Sequence, residues 1–161
     1  MTTTSPEPCM LVLIDTEGHS VNALSEMAEV LRSGAKRPIH LSVLRMGSDK
    51  LPTLPPGVDD LVDVPLQPLP AALHSLVSRA QRSPIGRNLV RMSPWDRGVR
   101  VRQSIRDFPE ALQRIHGAQV LLAGGRDALL TVWTVSRSRP DMAAVYGMRS
   151  AIRAVDEATD R

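Results

Sequence analysis

Short apolar runs separated by stretches of helical periodicity run through most of the chain. Residues 9–14 (CMLVLI) are continuously apolar and are followed by the polar loop DTEGHS. A run this short, bounded by a loop, predicts a strand covered on both faces. Val21, Leu24, Met27, Ala28 and Leu31 then recur at helical spacing. They predict a helix over 21–33, with Ser20 or Asn22 as N-cap and Gly34 at the C-cap. Residues 38–45 (PIHLSVLR) alternate apolar and polar side chains, the period of a strand. The stretch 46–60 is rich in Pro, Gly and Asp and reads as loop, and LVDV at 61–64 as a third short strand.

Beyond residue 65 the period becomes helical. Leu69, Leu73, Leu76, Val77 and Ala80 predict a helix that starts near Pro70 and is ended by Pro84. Residues 85–98 are arginine-rich, broken by Pro94 and Gly98, and carry no predicted element. A helix near 99–115 carries Val101, Ile105, Phe108, Ala111, Leu112 and Ile115, and Pro109 suits the first turn of a new one. A second buried-strand signal, AQVLLA at 118–123, leads through GGRD into a helix over about 127–138. A last strand at 143–147 and a closing helix at 148–158 complete the pattern, and residues 1–8 read as a disordered polar leader.

Strands alternating with helices predict an α/β fold: a Rossmann-like open, mostly parallel sheet of about five strands with helices on both faces. Residues 9–158 form a single α/β domain in this reading, and 65–117 a helical, Arg-rich insertion between strands three and four. With strand order 3-2-1-4-5, the first and fourth strands are neighbours where the order reverses, which is where such sheets bind ligands.

Composition narrows the class. Hydrophobic residues make up 42% of the 161, but the aromatics are only Trp95, Phe108, Trp133 and Tyr146, so the core is aliphatic. Cys9 is the single cysteine and forms no internal disulfide. The first nine residues show neither a cationic nor an apolar signal region, which predicts a cytoplasmic protein. The longest apolar run is far too short to span a bilayer, so no membrane partner is expected. The net charge is +3, but residues 79–106 hold eight arginines and one acid, Asp96, leaving the rest of the chain at −4. A basic block on a mildly acidic body points to an anionic partner.

Two loops carry the candidate chemistry. Asp15, Gly18, His19 and Ser20 follow the first strand, and Gly124, Gly125, Arg126 and Asp127 follow the fourth. Each leads into a helix, offering backbone N–H groups to a small anionic ligand, and Arg126 offers a forked donor. Asp15 with His19 is a possible acid/base pair. The plainer alternatives are that Asp15 bonds nearby amides, Gly-Gly makes a tight turn and Asp127 caps a helix. His19, His40, His74 and His116 lack metal-ligand spacing, so no metal is expected. No nucleophile elbow, dinucleotide fingerprint or phosphate loop is present, so neither nucleophilic catalysis nor a cofactor is expected. In the basic block, Arg79, Arg82, Arg87 and Arg91 are candidate anion or nucleic-acid contacts, with Trp95 available to stack on a base.

Segment 118–149 resembles the N-terminal Rossmann-like half of actinobacterial two-domain (GT-B type) glycosyltransferase-like proteins. The matching residues are Asp127, Ala128, Trp133, Arg137, Arg139, Pro140 and Ala144 to Gly147, and the Gly18–His19 loop is similar to the acceptor-side loop of such domains. The resemblance covers about a third of the chain. In that family the donor nucleotide sugar binds chiefly to a second domain, for which 161 residues leave no room. The resemblance therefore implies a free-standing half that is no transferase when isolated. The leading expectation is a non-catalytic binding or accessory module for a small ligand, a protein partner or a second copy of itself. The alternatives are a small enzyme acting on a nucleotide or sugar at the facing loops, and an anion- or nucleic-acid-binding module using residues 79–106.

Overall fold

The runs of apolar residues become strands because side chains on both faces must leave water, and only a sheet covered twice allows that. The computed structural model describes residues 7–47, 51–91 and 93–158. The strands are β1 (Cys9–Asp15), β2 (Ile39–Met46), β3 (Asp60–Val64), β4 (Val120–Ala123) and β5 (Ala143–Tyr146). All pair in parallel, in the order β3-β2-β1-β4-β5. This is the expected α/β, Rossmann-like open sheet with its reversal between β1 and β4. Most of the predicted leader lies outside the described residues.

The helices are α1 (Val21–Gly34), α2 (Ala71–Ala80), α3 (Pro84–Arg91), α4 (Arg97–Arg106), α5 (Pro109–Gly117), α6 (Leu129–Ser138) and α7 (Met148–Glu157). A 3-10 turn, Arg126–Ala128, precedes α6. On one face of the sheet Leu11, Leu13, Leu41, Val43 and Leu122 pack with Leu24, Ala28 and Leu31 of α1 and Ala151 and Val155 of α7. On the other, Val12, Ile14, Leu44, Val62 and Leu121 meet Val101 and Ile105 of α4, Ala111 and Ile115 of α5, and Val132 of α6. No helix is long and apolar enough to cross a membrane among the described residues.

Three local readings change. Ser20 is the N-cap of α1, accepting from the Ala23 amide, but Gly34 is the last helical residue and Ala35 the C-cap. The helix that begins at Ala71 ends at Ala80, and Pro84 opens α3 rather than ending a helix. Proline at a helix start loses no hydrogen bond, since the first-turn N–H groups have no intrahelical partner. Residues 84–91, expected to hold no element, are therefore helical, and α2 and α3 pack chiefly on one another. Pro109 does open α5, as its position suggested.

A polar network fixes the β3 edge of the sheet. Asp60 accepts from His40 Nε2 at 2.8 Å, Arg114 Nη1 at 3.0 Å and the Ser42 hydroxyl at 3.3 Å, joining β2, β3 and α5. The His40 hydrogen bond holds the Asp60 carboxyl below the usual carboxylate range, and the Arg114 charge adds to it against the opposing effect of burial. A carboxyl depressed in the folded state binds fewer protons there than in the unfolded chain. Its stabilisation is thus complete above the ordinary carboxylate range and is lost as the pH falls below about 4. Asp60→Asn is expected to flatten the acid limb of a Tm-against-pH profile. An unchanged limb would show that other carboxylates govern acid unfolding.

Candidate functional site

The carboxyl ends of β1 and β4 bring the two predicted loops together. Gly124 N–H donates to Ile14 carbonyl oxygen at 2.9 Å. A Cβ on Gly124 would lie 2.8 Å from that oxygen, and one on Gly125 would lie 2.5 Å from Thr16 Oγ1. The glycines thus serve contact between the loops. Gly124 also borders a small apolar cavity of about 160 Å3 beside β5.

Asp15 organises its own loop. Its side chain is 1% exposed. One oxygen accepts from the amides of Glu17 at 3.1 Å and Gly18 at 3.2 Å and lies 2.7 Å from His19 Nδ1. The other accepts from the His19 amide at 2.8 Å. Gly18 sits at φ 71°, a left-handed conformation that favours glycine and lets the chain curl round the carboxylate. Beneath the loop, the Arg45 guanidinium donates to the carbonyls of His19 at 3.3 Å and Gly18 at 3.5 Å and pairs with Asp63 at 3.3 Å. The loop's donors and acceptors are therefore largely used in holding its shape.

The β4 loop looks outward. Asp127 caps no helix: the 3-10 turn and α6 begin without a side-chain cap, and the Asp127 carboxylate lies 3.3 Å from Arg97 Nε. Arg97 also donates to the Thr16 carbonyl at 2.6 Å. One guanidinium at the start of α4 thereby fastens both loops.

A cleft of about 690 Å3 opens between this junction and the α2–α3 arm. Arg126 contributes from the β4 loop, Arg87 and Arg91 from α3, and Arg97 from α4. Arg87 and Arg91 are four residues apart and share a helix side. Val90, Val99 and Leu130 supply apolar wall. Its two acids are committed: Asp127 to Arg97, and Asp96 to the Gly98 amide at 2.9 Å as cap of α4. Arg87, Arg91 and Arg126 have no acidic partner among the described residues. Close by, Arg100 Nε is buried without a partner among those residues. Burial first, and the Arg97 charge second, lower the Arg100 pKa from its ordinary value.

The cleft thus joins two sets of candidates that are far apart in sequence: Arg126 and Asp127 with Arg87 and Arg91. Asp15, Gly18, His19, Ser20, Gly124 and Gly125 lie outside its lining, as do Arg79, Arg82 and Trp95. Arg97, which no motif distinguishes within the basic block, is the residue that sequence reasoning missed. The segment Asp96-Arg97-Gly98 carried one usable signal, an aspartate placed to cap a helix after a proline. In the segment of resemblance, Arg137 lies over the Trp133 ring at 5.0 Å, and Arg139 donates to the His116 carbonyl and pairs with Asp141. No group of three or more potential metal ligands occurs among the described residues. Comparison with family models, curated proteins and solved structures finds no match to this chain.

Proposed function

We propose that this protein is a non-catalytic Rossmann-like binding module for a small polyanion, held in the arginine cleft. The observation that carries this reading is the group of three arginines, Arg87, Arg91 and Arg126, lining one concavity with no acidic partner among the described residues, the two acids of the lining being engaged by Arg97 and the Gly98 amide. Clustered like charges repel one another, and an anion bridging the two walls relieves that repulsion. Two separated cationic walls favour a ligand with two anionic groups, such as a diphosphate, and the apolar wall residues suit an attached ring. The volume lies within the usual range for small-molecule sites. Neither histidine nor a free carboxylate lines the cleft, which supports binding without chemistry.

The resemblance to glycosyltransferase N-terminal halves makes a nucleotide or sugar phosphate the natural ligand class. It makes an accessory role beside a protein partner, or in a homodimer, the natural setting. Nucleic acid is less well supported, because the arginines converge on a cleft whose lining includes neither Trp95 nor Arg79.

The test is calorimetric titration with inorganic pyrophosphate and with uridine diphosphate. Saturable binding is expected, weakening as salt is raised. Arg126→Ala should weaken it about tenfold and Arg87→Ala/Arg91→Ala about a hundredfold, with Tm unchanged, because each lost charged hydrogen bond is worth about 1.5–3 kcal/mol. Absence of binding at millimolar probe, or variants that bind as the parent does, would sink the proposal.

A further inference from the structure

The same face of the sheet holds a second cavity, of about 270 Å3, where the C-terminal half of α4 meets α5 and α6. Its walls are mainly apolar, from Ile105, Leu112, Ile115 and Val135. Arg102 and Arg106, one helical turn apart on α4, also line it. Arg102 has no acidic partner among the described residues, and Arg106 has only an exposed contact with Asp107 at 3.6 Å.

Thr131 makes this cavity more than a packing gap. It lines the space, is 2% exposed, and its hydroxyl has no hydrogen-bond partner among the described residues. A buried unsatisfied hydroxyl is costly, and native proteins rarely leave one. Thr134, one turn on, shows the usual solution for a helical threonine: its hydroxyl donates to the Leu130 carbonyl at 2.7 Å. The corresponding acceptor for Thr131 is the Asp127 carbonyl. That residue lies in the 3-10 turn, where the carbonyl lacks α-helical alignment.

We infer that this cavity binds a small organic acid with an apolar body, its carboxylate accepting from the Thr131 hydroxyl and from the arginines of α4. An apolar cavity with one or two placed polar groups is the general form of such a site. The inference is independent of the polyanion cleft, which uses the other end of α4.

Octanoate is a suitable probe, with 1-octanol as its uncharged counterpart. Calorimetry should show one saturable octanoate site, and octanol should bind at least tenfold more weakly. Thr131→Val keeps the shape and removes the hydroxyl. It should weaken octanoate about tenfold while leaving the Tm of the ligand-free protein unchanged or slightly raised, since no native hydrogen bond is lost. Arg102→Gln/Arg106→Gln, on exposed positions, should weaken octanoate similarly, and Arg126→Ala should not affect it. No saturable octanoate binding, equal binding by Thr131→Val, or a fall in that variant's Tm would each overturn the inference.

Discussion

Asp15→Ala is expected to lower the unfolding free energy by about 3–4 kcal/mol, the largest effect of any polar substitution in the protein. The side chain is almost wholly buried, and the two carboxylate oxygens take the amides of Glu17, Gly18 and His19 together with the His19 ring. Removing the acceptor leaves three N–H groups pointing at a void in a loop whose outer contacts continue to hold it. Each stranded group costs about 1–3 kcal/mol, reduced where water reaches the loop. Asp15→Asn should fall part-way, because the amide nitrogen would face N–H groups that need an acceptor. His19→Ala should cost least, since the backbone bonds survive. Urea unfolding of the three variants measures this directly. An Asp15→Ala loss below about 1 kcal/mol would mean that the loop reorganises freely and that Asp15 is available for another role.

Gly124→Val should be nearly as damaging, at about 3 kcal/mol, through overpacking. The added Cβ would meet the Ile14 carbonyl at 2.8 Å and Leu13 Cδ1 at 2.9 Å, and Leu13 is itself packed in the core. A carbonyl engaged in the β1–β4 contact cannot swing aside without breaking its bond to the Gly124 amide. Relief requires the carboxyl ends of the two strands to separate, which would also disturb the Arg97 bridge to Thr16 and Asp127. Both a fall in Tm and a loss of pyrophosphate binding are therefore expected. A variant with the parent's Tm would show that the strand ends yield easily.

The sheet was legible because its signals are local. Runs such as 9–14 and 118–123 are too short for helices and too apolar for a one-sided strand, and the intervening periodicity fixed the alternation. Alternation and the handedness of crossovers only narrowed the strand order, and the order 3-2-1-4-5 taken for the site is the one the sheet has. What was hidden depends on long-range contact or on competing local cues. α3 was obscured because Pro84 reads equally as a stop or a start, and because only Gly86 and Val90 mark its buried side. Asp127 reads as a cap in isolation, and its true partner, Arg97, lies 30 positions earlier in a block where every arginine looks alike. Asp15, read as the first residue of the loop, is the last residue of β1, and the plainer reading of it as an acceptor for neighbouring amides matches its bonds.

Two of the three cleft arginines without an acidic partner among the described residues, Arg87 and Arg91, ride on α3, a helix that leans chiefly on α2. A polyanion spanning Arg126 and the Arg87–Arg91 pair would close a circuit between that arm and the sheet. Because the two walls belong to different packing units, affinity would depend on how closely their spacing matches that of the ligand's anionic groups. Selectivity in such an arrangement depends on reach: a ligand too short to touch both walls gains only one set of contacts.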